Sequence, residues 1–253
     1  MDNTCQQTNS SILSFTIGDT DFKMIKVEGG SLWMGFQNKN QDDEYEDDKD
    51  DKDSRYDDEA PVHYVAVDGF YLGETEVSQK LWSAVMGNNP SQHTDPQCDL
   101  PVENVSWYDC QIFIEKLNKL TGMSFRLPTE AEWEFAARGG TQGHNYRYRY
   151  AGGNKLSDVA WTTDDQGNKT HEIKTKKPNE LGLDDMTGNV WEWCEDWYGS
   201  YDTSKPQKTK RKVLRGGGWT NVAKTFRIIY RESAFPDCRY YCIGFRLALS
   251  ETV

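Results

Sequence analysis

The sequence predicts an α+β fold: one compact, loop-rich domain with short sheets and a few helices. Three observations carry this. Short stretches alternate apolar and polar residues, the period of half-buried strands. Three other stretches repeat apolar residues every three or four positions and start on capping residues. Between them lie irregular segments rich in turn residues, in a chain with 21 glycines and few long apolar runs. Only 36% of the residues are hydrophobic, but aromatics reach 13%, with nine Trp and thirteen Tyr. Such rings bury large areas and can build a core from a small count.

Residues 1–21 read as a polar lead-in, and the domain is expected over 22–249 with a short tail at 250–253. Phe22 to Met34 alternates around Gly29-Gly30, the pattern of a hairpin. Residues 42–59 form an acidic run with almost nothing to bury, expected to be a solvated insertion. Its carboxylates lack the spacing and turn glycine of a helix–loop–helix calcium site. Pro61 to Leu72 alternates again and reads as a strand, with Asp68-Gly69 as a turn or bulge. Thr75 to Met86 places Val77, Leu81, Trp82, Val85 and Met86 on one helix face, capped by Thr75 or Glu76. A second helix follows Ser106, with Asp109 at its third position and Gly122 past its end. Trp107, Cys110, Phe113, Ile114, Leu117 and Leu120 form its apolar face. Thr129 and Glu132 make a capping box for a third, shorter helix.

From Gly139 to Asn179 the chain is irregular. The alternation of Tyr and Arg over 146–150 fits an exposed hairpin, with stacking on bases or sugars as the other reading. His144 and His171 lack partners at metal-ligand spacing. In Leu181 to Tyr198, Asn189 and Glu192 can offer side-chain oxygens beside carbonyls freed by Gly188, a possible calcium cage. The same residues also suit a turn bonded to its own backbone, with Trp191, Trp193 and Trp197 in the core.

Composition excludes several functions. A net charge of −12 opposes nucleic-acid binding, which needs a basic footprint. No 18-residue apolar stretch exists to span a membrane. The six cysteines contain no CxxC pair, which disfavours a zinc site and a disulfide framework. Cys110, on a helix face, reads as a small core residue. No Ser-His-Asp set or phosphate-binding glycine loop is present. Cys5 near the start fits a lipoprotein whose signal lies outside this chain, and hence a place at the cell surface, outer membrane or periplasm.

Residues 213–249 are unlike the rest. Arg215 with three glycines, Trp219, Arg227, Arg231, Pro236, Arg239 and Gly244-Phe245-Arg246 form a regular frame. Glycine and arginine at such intervals imply tight turns pinned by charge-assisted bonds. The residues between them follow neither a helical nor a strand period.

The ordered motifs VEGGSLWMG, PVHYVAVDGFYLGETEVSQKLW, PVENVSWYDC, FRLPTEAEWEFAARGG, LGLDDMTGNVWEWCEDWY, VLRGGGW and GFRLA closely resemble the formylglycine-generating-enzyme, or sulfatase-modifying factor, domain over roughly residues 22–249. That resemblance implies a C-type-lectin-like architecture and structural calcium near Asn189 and Glu192. The oxidases of this family carry a copper-binding cysteine pair after their GG motif, and alignment sets Asn221 and Phe226 at those positions. Neither side chain ligates Cu(I) as a thiolate does, so no copper and no catalytic residue is expected. An oxidase or C–S bond-forming enzyme with an atypical site, using Cys238 and Cys242, is the alternative.

The C-terminal segment resembles the variable region of retroelement-diversified proteins, such as the Treponema variable proteins. There, miscopied template adenines turn AAC or AAT codons into others, never reaching Lys, Glu, Gln, Met or Trp. By that criterion Lys224, Glu232 and Trp219 belong to the frame. The expected function is therefore non-enzymatic: a monomeric protein that displays a variable surface to a protein or other surface ligand. Its expected contact set is Trp219, Thr220, Asn221, Val222, Thr225, Ile228, Ser233, Ala234, Phe235, Asp237, Cys238, Tyr240, Tyr241 and Cys242. Tyr and Phe amid small polar residues supply rigid contact area at low entropic cost, as in antibody paratopes.

Overall fold

The computed structural model describes residues 11–35, 57–145, 148–162, 168–202, 204 and 209–251. Cys5, most of the acidic run, Tyr146 and Arg147 lie outside these residues, as does the side chain of His144.

The first strands begin inside the expected lead-in. Strands β1 (Ile12–Ile17) and β2 (Thr20–Val27) form an antiparallel hairpin. Gly18, at φ +59°, takes the left-handed turn conformation between them. The expected hairpin around Gly29-Gly30 does not form. Instead β3 (Gly30–Met34) pairs with β4 (His63–Val67), across the acidic insertion. The stretch Pro61 to Leu72 is likewise two strands, because Asp68-Gly69 turns a corner and β5 (Phe70–Gly73) joins β2 in another sheet.

Three helices follow where their periodicity predicts. α1 (Gln79–Met86) is capped by Ser78, whose hydroxyl accepts from Leu81 N, and not by Thr75 or Glu76. α2 (Trp107–Thr121) carries the reciprocal Ser106–Asp109 box, and Gly122 closes it in the left-handed conformation. α3 (Glu130–Ala137) carries the Thr129–Glu132 box. A single turn, α4 (Leu156–Val159), lies in the irregular stretch. Along α2, Cys110, Phe113, Ile114 and Leu117 are buried. Leu120, expected on that face, is exposed near the C-terminal end of the helix.

The C-terminal half adds β7 (Trp191–Trp197), β8 (Lys212–Arg215), β9 (Glu232–Ala234) and β10 (Ile243–Gly244), which form a four-stranded sheet in the order β10-β7-β8-β9. Trp191 and Trp193 enter the core as expected. Trp197 lies after a register shift in the β7–β8 pairing and is exposed. A five-stranded sheet runs β1-β2-β5-β11-β6, with β6 (Phe125–Arg126) and β11 (Ala248–Ser250). The chain's last strand is thus inserted between β5 and β6 and ties both ends together. One apolar cluster packs α1 and α2 on these sheets around Phe113, Trp193 and Phe245. A second lies under α3 around Trp133, Phe135 and Phe70. No helix among the described residues is long and apolar enough to cross a membrane.

Candidate functional site

The C-terminal segment is held by its arginines, each of which meets a carboxylate. Arg215 and Arg246 are fully buried. Arg215 Nη2 donates to Glu134 Oε2 at 2.5 Å and to Ile228 O at 2.9 Å. Arg231 grips Glu130 with two bonds of 2.6 and 2.8 Å and reaches Asp58 O and Gly199 O. Arg227 holds Glu59 in a fork of 2.9 and 3.1 Å. Arg239 holds Asp109 at 2.7 and 2.8 Å, fastening the segment to the first turn of α2. Arg246 holds Glu192 with two bonds of 2.7 Å. Forked guanidinium–carboxylate contacts fix orientation as well as distance. Burial works against the charge on Glu134, but Arg138 and Arg215 outweigh it and keep that carboxyl below its usual range.

The glycines of the frame fit as tightly. A Cβ on Gly217 would stand 2.6 Å from the Phe226 ring, and one on Gly244 would stand 2.3 Å from Val102 O. Backbone approaches of that kind admit no side chain.

On this frame two strips of the expected contact set meet across Trp191. Trp219 Nε1 donates to Tyr241 O, and Trp191 N donates to Cys242 O. Asn221 Oδ1 accepts from Trp191 Nε1 at 2.8 Å and from Gly218 N at 3.0 Å. The rings of Trp219 and Tyr241 lie 5.7 Å apart. Val222, Phe235, Tyr240 and Tyr241 are exposed large hydrophobic residues, and Asp237 beside them is exposed too. Thr220, Asn221, Ser233, Cys238 and Cys242 are half-buried. Phe235 stands apart from the two strips, under the guanidinium of Arg211 at 4.7 Å.

Four expected contact residues are instead buried supports. Ile228 belongs to the cluster under α3, and Ala234 to the one around α2. Thr225 closes a short 3-10 turn by donating to Val222 O. Trp219 is only 7% exposed, wedged against His93 at 5.2 Å. Lack of a strand or helix period had suggested exposure. In an irregular segment burial follows neither period, so residues without a pattern still turn inward.

The sequence reading missed His93 and Glu103, which floor this region beneath Trp219 and Tyr241. Glu103 is wholly buried; Oε1 accepts from His93 N at 2.7 Å, while Oε2 has no partner. Burial pushes its carboxyl up to about 7, against the lowering effect of backbone bonds from His93 and Gln92. His93 Nδ1 lies 3.7 Å from Glu103 Oε1. Burial, helped by Lys169, keeps this imidazole below its ordinary value. No sequence signal marks them, since a lone His and a lone Glu carry no spacing.

The side-chain oxygens of Asn189 and Glu192, where calcium is expected, are bonded within the protein. Both oxygens of Glu192 are taken by Arg246, with Trp133 Nε1 also on Oε2. The Asn189 side chain is bonded to the backbone N–H and carbonyl of His171. These are the turn-and-core roles that the same residues also allowed, and a cation would have to displace a guanidinium. Among the described residues no group of three or more His, Cys, Asp or Glu side chains is placed to hold a metal ion.

Cys110 and Cys194 lie in the core, and Cys98, Cys238 and Cys242 are half-buried. Burial pushes the thiols of Cys110 and Cys194 well up and that of Cys242 up. The position that the resemblance sets against the second oxidase cysteine, Phe226, is buried against Gly217.

Known proteins are similar to this chain in sequence and fold. The sequence profile of the sulfatase-modifying factor enzyme 1-like domain matches residues 17–251. The chaperone protein LppX of Paenibacillus barcinonensis is 34% identical over 216 residues, covering 66% of this chain and 75% of that protein. The formylglycine-generating enzyme of Streptomyces coelicolor is 35% identical over 173 residues, 58% of this chain and 52% of the enzyme, so the match spans about half of that relative. The solved structure of Treponema denticola variable protein 1 superposes with a TM-score of 0.81 at 30% identity, covering 96% of this chain and all of that one. The architecture is accordingly the C-type-lectin-like one.

Proposed function

The chain belongs to the sulfatase-modifying factor enzyme 1-like family, and we propose that within it this protein is a binding module and not an oxidase. Its C-terminal segment serves as a display surface for a protein or other surface ligand. One observation carries this reading. Buried arginine–carboxylate pairs fix the backbone on both sides of Val222, Tyr240 and Tyr241, whose side chains are exposed. A frame that does not depend on the residues it presents can tolerate their replacement, which is what a diversified surface requires. Likeness to a structure titled a variable protein supports the same reading.

The experiment is genetic. The DNA flanking the gene's 3′ end is sequenced from a cultured population. A near-copy of the segment encoding residues 213–249, differing chiefly at adenines and lying beside a reverse-transcriptase gene, is the expected result. If no such repeat exists, the segment is a fixed site and the diversification reading falls.

A second reading is kept because curated relatives are named formylglycine-generating enzymes. It requires stoichiometric Cu(I) binding and oxygen consumption with a cysteine peptide. Neither is expected here, since Asn221 and Phe226 stand where the resemblance sets the oxidase cysteines. Copper binding that Cys238→Ser abolishes would reverse the choice.

A further inference from the structure

His93 lies outside the C-terminal segment but stands among its display residues. Its ring meets Trp219 edge-on at 5.2 Å and Tyr241 edge-on at 6.1 Å. Both of its backbone groups are held from outside that segment. The N–H donates to Glu103 Oε1 at 2.7 Å, and the carbonyl accepts from Gln79 Nε2 at 2.7 Å. The two ring nitrogens differ. Nδ1 is buried without a hydrogen bond and lies 3.7 Å from Glu103 Oε1. Nε2 is bonded by no described residue and is not buried, the side chain being 18% exposed. It is the polar atom that this ring shows to solvent beside Trp219 and Tyr241.

A cation lies close by. Lys169 is exposed, and its charge acts on the His93 imidazole. The backbone beside it is tied to the display surface. His171 N and O both bond the Asn189 side chain, and Asn189 O accepts from Trp219 N. Among the described residues no carboxylate forms an ion pair with Lys169. Behind the ring, Glu103 is wholly buried, and burial holds its carboxyl up to about 7, so it opposes a nearby anion with less than a full charge at neutral pH. Burial pushes the Cys242 thiol up, so it adds no charge there. An imidazolium in this position donates from both nitrogens, with Nδ1–H toward Glu103 and Nε2–H toward whatever is bound.

We propose that the display surface holds its ligand through a carboxylate, received by Nε2 of His93 and the ammonium of Lys169 beside Trp219 and Tyr241. Charge-assisted bonds of this kind are stronger than neutral ones and favour an anionic acceptor. On a partner protein the carboxylate is an Asp or Glu side chain or a C-terminus. The inference rests on the display reading for where the ligand sits. It adds to that surface two contacts that any change within residues 213–249 leaves in place.

The His93 imidazole and the Trp219 indole N–H are followed by NMR in the intact chain near neutral pH. The probes are Nα-acetyl-glutamate amide, Nα-acetyl-alanine with its free carboxylate, and the neutral Nα-acetyl-glutamine amide. A saturable shift with a carboxylate probe and none with the glutamine amide is expected. A response to the glutamate amide alone assigns an acidic side chain, one to acetyl-alanine alone assigns a C-terminus, and one to both assigns carboxylates of either source. Lys169→Gln, a change at an exposed position, weakens the affinity about three- to fivefold, as loss of an exposed ion pair does. His93→Asn, read at the Trp219 indole, weakens it about tenfold. Should that variant fail to fold, Lys169→Gln carries the test. No saturable shift, an equal response to the glutamine amide, or an affinity that Lys169→Gln leaves unchanged overturns the inference. The display reading is decided separately by the DNA repeat. If the repeat is missing while carboxylates bind, diversification falls and the anion contact stands.

Discussion

At the scale of single residues, the arginines divide by burial. Arg246 and Glu192 are both fully buried, so deleting one leaves a charge in the core. Arg246→Ala is expected to cost about 3–5 kcal/mol in urea unfolding. The Arg239–Asp109 pair has similar geometry but is half exposed on the arginine side. Arg239→Ala is expected to cost below about 1 kcal/mol, because water screens the pair and takes its place. Glu103 gives a pH signature. Its folded-state value is raised from 4.5 to about 7, so its protonated form stabilises the fold. That contribution is complete below the unfolded value and is lost as pH rises through 7. Compared with wild type, Glu103→Gln should therefore gain about 1–2 kcal/mol on going from pH 4.5 to pH 8, once solvent screening is allowed for. The difference between the two melting profiles isolates Glu103 from His93, whose lowered value acts in the opposite direction. A constant difference across that range would show that Glu103 is paired in solution.

At the scale of elements, the helices follow local rules and the display segment does not. Ser106 and Thr129 each accept from an N3 amide whose own side chain bonds back. Ser106→Ala should cost about 1 kcal/mol, read as a shift in the unfolding midpoint with unchanged slope. In the display segment the aromatic residues separate into two classes. Tyr240→Ala should change stability by no more than about 0.5 kcal/mol, because half of that side chain is in water. Trp219→Ala should cost about 3–5 kcal/mol, since its ring is wedged on His93 and its Nε1 bonds Tyr241 O. Equal losses in the two variants would place Tyr240 in the core and weaken the display reading.

At the scale of the whole molecule, the last strand closes the fold. β11 lies between β5 and β6, so its removal unpairs two strands at once and opens the core at Leu249. A chain ending at Leu247 is expected to lose cooperative thermal unfolding, followed by circular dichroism. This placement limits where diversity is possible. On the proposed reading the exposed positions Val222, Phe235, Asp237, Tyr240 and Tyr241 can present new side chains, whereas Ile243 to Leu249 are sheet and core.

The sequence by itself determined the three principal helices, the caps of the second and third, the arginine–glycine frame and the family. Each of these depends on residues close together in the chain, as Ser106 with Asp109, or on a fixed order of motifs. Only the tertiary structure decided the rest. It showed that β3 pairs with β4 across the acidic insertion, because strand pairing depends on distant partners and not on local alternation. It turned Thr225, Ile228 and Ala234 inward, since an irregular backbone has no period from which burial can be read. It gave Glu192 to Arg246, and it left the Glu76 oxygens without a hydrogen bond, because the partners of a buried charge are chosen by the fold in three dimensions.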